Sequence, residues 1–258
     1  MTKCINYIIL VNKGVFYEKI FLLVFLILTT VNIYTQEMQL SGGFEAGFGA
    51  LIIDNNFWYN DKDNYNFCSE DTNTVYFAPG ISFTLRVFSD IDNAISTGLI
   101  FRDRAIFMTN MKQVGTFGIN NISYPISETY SISDDLFLSI MDFGLGSTNR
   151  FRISDWFNFY TDLGVSFTMM DLEDDKAKET LNYLGIGIFS DLAFQINFTP
   201  KLYLELGLNG IINIFSSQKG TFQITNKKFE YEDSGRWDLV SVAAYIQIGW
   251  RFDLKQIK

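Results

Sequence analysis

Residues 237–252 read Trp-Asp-Leu-Val-Ser-Val-Ala-Ala-Tyr-Ile-Gln-Ile-Gly-Trp-Arg-Phe. Val240, Val242, Ala244, Ile246, Ile248, Trp250 and Phe252 share one parity, and Ser241, Tyr245, Gln247, Gly249 and Arg251 share the other. In an extended chain alternate side chains point to opposite faces, so the stretch predicts a strand with one wholly apolar face. Aliphatic residues in the middle and an aromatic pair at one end are what a bilayer requires of a barrel wall.

Working back toward residue 36, the same period recurs seven more times. Residues 38–53 set Leu40, Phe44, Ala46, Phe48, Ala50 and Ile52 against Ser41, Gly43, Glu45, Gly47 and Gly49. Residues 75–88 oppose Val75, Phe77, Ile81, Phe83, Leu85 and Val87 to Gly80, Ser82, Thr84 and Arg86. Residues 93–107 carry a less regular version, with Ile95, Leu99 and Phe101 against Ser96, Gly98, Arg102 and Arg104. The remaining four are predicted over 137–152, 156–169, 184–198 and 202–214.

The connections alternate in length. Residues 89–92, 153–155 and 199–201 are short, whereas 54–74, 108–136, 170–181 and 215–236 are long and read as loops. Short turns on one side and long connections on the other are the habit of barrels that cross an outer membrane. Helix has one candidate, a turn or two over 174–181.

A soluble lipocalin-type barrel also has eight strands, and it differs in which face is wet. An eight-stranded bore is just wide enough for side chains to fill. Eight faces of Phe, Leu and Ile would not fit within it, so the small and charged parities are assigned to the lumen. The expected fold is an all-β, eight-stranded, up-and-down antiparallel transmembrane barrel spanning residues 36–258. Leu206 should face lipid and reject arginine, while lumen-facing Gly207 should accept serine.

Residues 1–35 read as a secretory signal: the apolar run 20–28 follows Lys13 and Lys19 and gives way to polar residues near Thr35. Its removal takes away a net +2 from Lys3, Lys13, Lys19 and Glu18, moving the formal charge from −9 to −11. That sign disfavours nucleic acid as a partner. Cys4 falls in the removed segment and leaves Cys68 with no intramolecular partner for a disulfide.

The sequence has no histidine. Imidazole is the side chain that exchanges protons near neutral pH, so the histidine-based hydrolytic groups of barrel lipases, deacylases and proteases cannot be assembled, and no enzyme is expected. Asp142 with Asp162 is the best carboxylate pair for acid and base work, but an ion-pair network accounts better for the same residues. The predicted inward acids Glu45, Asp142, Asp162, Asp191 and Glu205 are matched by the inward bases Arg86, Arg102, Arg104, Arg150 and Arg251. Buried charges persist when paired. Within this set Arg102 and Asp142 are the expected partners. The acidic residues Asp61, Asp63, Asp171, Glu173, Asp174 and Asp175 match no calcium loop and read as solvated surface. No cofactor and no metal are expected.

The hydropathy pattern, the alternation of connections and the Gly249-Trp250-Arg251-Phe252 ending resemble small eight-stranded outer-membrane proteins of the OmpA transmembrane-domain type. The aromatic ending is similar to the targeting signal of such barrels, with residues 253–258 extending past it. The resemblance implies insertion by the barrel-assembly machinery, outer-membrane lipids as surroundings, and Phe151, Phe157, Phe198, Trp250 and Phe252 at the membrane interface. It leaves two functional expectations, a closed scaffold presenting four outer loops to an extracellular partner or a narrow porin-like channel.

Overall fold

The computed structural model describes residues 37–61, 64–89, 93–107, 109–120, 122–130, 136–174, 179–224, 227–233 and 237–254. The signal expected over 1–35 lies outside them, as do Asp63 and Asp175. The strands are β1 (Glu37–Asp61), β2 (Asn64–Phe88), β3 (Ile95–Phe107), β4 (Thr109–Ile119), β5 (Ile122–Tyr130), β6 (Leu136–Arg152), β7 (Phe157–Asp174), β8 (Glu179–Asn197), β9 (Leu202–Ile224), β10 (Lys227–Asp233) and β11 (Leu239–Asp253).

Eight of them, β1, β2, β3, β6, β7, β8, β9 and β11, pair antiparallel in that order. The ring closes where Glu37–Leu51 of β1 lies against Leu239–Asp253 of β11. Closure removes the edge strands that an open sheet would leave unpaired. The expected architecture is therefore the one observed. Along β11 burial alternates from Leu239 onward, with Val242, Ile246, Ile248 and Trp250 outward and Ser241, Ala243, Tyr245 and Gln247 inward.

The long connections differ from expectation. They are largely sheet: β1 and β2 run on together to Asp61 and Asn64, β7 and β8 stay paired to Asp174 and Glu179, and β9 continues to Ile224, where β10 folds back on it. β4 and β5 form a hairpin docked on the far half of β2, opposite Cys68–Phe77. The helix expected over 174–181 is instead strand where it is described, because Glu179–Leu181 pair with Leu172–Asp174. β11 begins two residues later than expected. Trp237 has a positive φ of 57° and its N–H bonds to the Ile214 carbonyl, which turns the chain into the strand.

The lumen is also fuller than the small inner residues suggested. Tyr76, Tyr203 and Tyr245 point inward, each directly opposite a glycine on the adjoining strand: Gly49, Gly249 and Gly207 respectively. A Cβ at Gly207 would lie 2.4 Å from the Tyr245 ring, and one at Gly249 would lie 2.1 Å from the Tyr203 ring. These glycines are footprints for rings, which overturns the expectation that Gly207 accepts serine readily.

Candidate functional site

The inward parity of eight tilted strands brings charged side chains into a bore that few waters can share, and the charges answer one another across it. Arg86 on β2 reaches β7 and β9, each three places away round the ring, with Nη2 2.7 Å from Asp162 Oδ2 and Nη1 2.6 Å from Glu205 Oε2. Tyr245 donates its hydroxyl proton to Glu205 at 2.9 Å. Arg102 on β3 pairs with Asp191 on β8, also three places away, and with Asp142 on neighbouring β6 at 3.1 Å. Arg104 holds Glu45 at 2.6 Å and stands 3.8 Å from Asp142.

Toward the short-turn end, Arg150 pairs with Glu37 at 2.6 Å and Arg251 approaches the same carboxylate at 3.4 Å. Tyr160, Gln39 and Gln195 fill the space between these groups with side-chain hydrogen bonds. At the hairpin end Asp238 accepts from Tyr183 at 2.7 Å, from Gln218 at 3.0 Å and from Ser216.

All ten residues expected in the lumen network are brought together there, nine of them buried and Arg251 partly so. Asp142 and Asp162 do not pair. In the β6–β7 register Asp142 faces Thr168 and Asp162 faces Thr148, which separates the two by six residues, about 20 Å at a strand's rise. The carboxylates that do lie directly opposite each other are Asp162 and Asp191. Like charges across a strand pair repel, and two arginines, Arg86 and Arg102, answer them from the other side of the bore. The expected five-to-five balance is altered by two further buried acids, Glu37 and Asp238. Glu37 shares the parity of Gln39 and Ser41, so it was readable from the alternation once the strand is started one residue earlier.

Apolar clusters sit among the charges. Phe88, Tyr160, Ala193 and Tyr245 form one buried cluster, and Ile100, Phe189 and Ile211 form another. Arginines stack on their rings, Arg86 4.7 Å from the centroid of Tyr160, Arg102 4.4 Å from Phe189 and Arg150 4.6 Å from Phe88. Ile100, Phe189 and Ile211 break the small-or-charged character of the inner parity, and hydropathy alone would have turned them to lipid. Among the described residues no group of three His, Cys, Asp or Glu is placed to hold a metal ion.

On the outside, the aromatic residues expected at the membrane interface collect at the short-turn end. Phe151 meets Phe159 at 5.9 Å, Phe157 stacks on Phe194 at 5.8 Å, and Trp156 lies 5.5 Å from Phe157. Phe198, Trp250 and Phe252 are exposed at the same end.

No protein-family model matches the chain, and no curated protein matches it. Among solved structures it is similar to the outer membrane protein OprG from Pseudomonas aeruginosa, with 11% identity and a TM-score of 0.46 over 85% of this chain and 97% of that one. It is similar to Ail, the attachment invasion locus protein of Yersinia pestis, with 12% identity and a TM-score of 0.42 over 84% and 99%. The outer membrane protease OmpT from Escherichia coli aligns with 9% identity and a TM-score of 0.42 over 84% and 96%. Likenesses this distant say nothing of activity, and the barrel is established by its own closed ring of strand pairs.

Proposed function

We propose that the protein is a non-enzymatic barrel of the Gram-negative outer membrane, exported by residues 1–35 and inserted by the barrel-assembly machinery. Its lumen is closed, and its working surface is the sheet that β1, β2, β4, β5, β9 and β10 extend beyond the wall toward an extracellular partner. The observation that carries this reading is the filling of the bore. Arg86 and Arg102 reach carboxylates across it, and the buried Ile100, Phe189 and Ile211 side chains pack beside them, with Arg102 stacked on the Phe189 ring. Side chains that meet from opposite walls of so narrow a bore leave ions no open path.

A narrow channel is the second reading. It is favoured by buried polar atoms without a hydrogen-bond partner, among them Asp162 Oδ1, Ser166 Oγ and Asn209 Oδ1, which a file of water would satisfy. Planar-bilayer recording of the refolded protein separates the two. A closed scaffold gives no steady unitary current. Reproducible unitary steps from the parent protein would replace it with the channel.

A further inference from the structure

The outward wall of the barrel is not uniform. On β8 it exposes Leu184, Ile186, Ile188, Leu192 and Phe194 with one polar residue, Ser190, among them, and on β11 Val240, Val242, Ile246, Ile248, Trp250 and Phe252. Diametrically across the ring from the β9–β11 seam, the outer faces of β3 and β6 carry Thr97, Asp103, Ser147 and Asn149. Thr97 lies opposite Asn149 and its hydroxyl bonds to the Asn149 Oδ1 at 3.0 Å. Ser147 donates to the Leu163 carbonyl at 3.4 Å. Asp103 sits higher on β3, flanked by Phe83 on β2 and Phe143 on β6, and takes a hydrogen bond from the Arg104 backbone.

This stripe lies inside the apolar band. Asn149 is one outward position above the Phe151–Phe159 pair that edges the short-turn end, and Ala105 stands outward above Asp103 on the same strand. Ionisable side chains in lipid are expensive and persist when a partner meets them. The outward groups on the strands beside Asp103 are Ile81, Phe83, Leu85, Met141, Phe143 and Leu145, none of them titratable. Arg102, Arg104 and Asp142 lie on the lumen side of the wall.

All copies of an outer-membrane barrel insert with their short turns on one side. Two copies meeting wall to wall are therefore parallel, related by a two-fold axis along the membrane normal, and each residue meets its own counterpart at its own height. Hydroxyl and amide side chains donate and accept at once, so Thr97, Ser147 and Asn149 are complementary to themselves. A carboxyl that carries its proton also donates and accepts, so two Asp103 side chains brought to one level are complementary in the same way. We propose that the β3–β6 seam is the contact through which a second copy of this chain docks in the membrane, with Asp103 and Ser147 at the two-fold axis.

The proposal rests on membrane placement of the barrel, and the test keeps the two apart. In a Cys68→Ser background, Ser147→Cys and Leu208→Cys are each expressed in the outer membrane of a Gram-negative host and treated with a short bis-maleimide. Leu208 is exposed on β9, on the opposite wall. Ser147→Cys should give a covalent homodimer and Leu208→Cys should stay monomeric. Adding Asp103→Arg, which sets two cations against each other, should abolish the Ser147→Cys dimer, and Asp103→Asn, whose amide pairs with itself, should keep it. Equal cross-linking from both walls, a monomeric Ser147→Cys, its capture of a different protein, or indifference to Asp103→Arg in a folded chain overturns the dimer. Heat-modifiable mobility in detergent gels reports the folded barrel in each case, and its loss in the parent would sink the membrane placement instead.

Discussion

Arg86 of β2 and Glu205 of β9 are bonded twice across the bore, Nη1 to Oε2 at 2.6 Å and Nη2 to Oε1 at 2.9 Å, although their strands are three places apart in the ring. Together with Asp162 the arrangement is two carboxylates on one guanidinium, all three buried. Truncating one member of such a group leaves its partners charged and unpaired, at a cost of about 3–5 kcal/mol. Arg86→Ala should lower the unfolding free energy of the barrel in vesicles by that amount, read from the gel-shift midpoint in a urea or guanidinium series. An effect below about 1 kcal/mol, the range of an exposed pair, would mean that water reaches this layer.

Arg102 and Asp142 form part of a network. Arg102 also holds Asp191, and Asp142 is 3.8 Å from Arg104. Arg102→Ala therefore strands Asp191 and leaves Asp142 the longer contact to Arg104, whereas Asp142→Ala leaves Arg102 paired. The arginine substitution should be the more damaging, and the double variant should remain destabilised because Asp191 stays unpaired. The coupling between the two sites is expected within about 0.5–3 kcal/mol. A double variant as stable as the parent would show that the two form an isolated pair.

Glycines on the two faces should respond with opposite sign. At Gly207 a methyl group would enter the Tyr245 ring, while at outward Gly210 the nearest atoms to an added Cβ are 3.9 Å away. Gly207→Ala is expected to cost about 1–3 kcal/mol through overpacking. Gly210→Ala should be neutral or stabilising by about 0.4–1 kcal/mol, because it restricts the unfolded chain. Refolding titrations of the two variants side by side would check this, and equal costs would contradict the face assignment of β9.

Leu206→Arg places a charge on the exposed face of β9, midway along the wall. A loss of about 2–4 kcal/mol is expected for arginine at the bilayer midplane. The same substitution further along the strand toward the long connections, Phe215→Arg, should cost less, since the penalty falls toward the interface. Equal losses at both positions would place the membrane band elsewhere on the wall.

The β4–β5 hairpin pairs with the far half of β2 and contributes no strand to the ring. Replacing residues 108–135 by a short turn between β3 and β6 should leave heat-modifiable mobility intact, while any extracellular binding carried by that hairpin is lost. A variant that no longer folds would show the hairpin to be part of the barrel's own stability.

Much of the wall was legible in the chain itself, and the reason is local. A strand's two faces are set by parity, so Phe44 against Glu45, Asp142 against Phe143 and Leu206 against Glu205 each declare a side without any knowledge of neighbours. The absence of histidine is equally local, and it narrows the chemistry open to this chain whatever its fold. Tyr160, Tyr203 and Tyr245 also fall on the lumen parity in the sequence. That each of the last two needs a glycine beside it could not be read, because Gly249 and Gly207 are neighbours only once β9 and β11 pair.

What the tertiary structure alone decided is which lumen groups meet. The stagger between tilted strands sets the height of each side chain, so Asp162 lies beside Asp191 and far from Asp142, and Arg86 finds Glu205 over a separation of 119 residues. Ile100, Phe189 and Ile211 turn inward because the pleat leaves them no other face, despite their hydropathy. The same holds for the long connections: their polar composition reads as loop, and it is cross-strand hydrogen bonding, a property of pairs of segments, that carries β1, β2, β8 and β9 on as sheet beyond the positions where the sequence pattern ends.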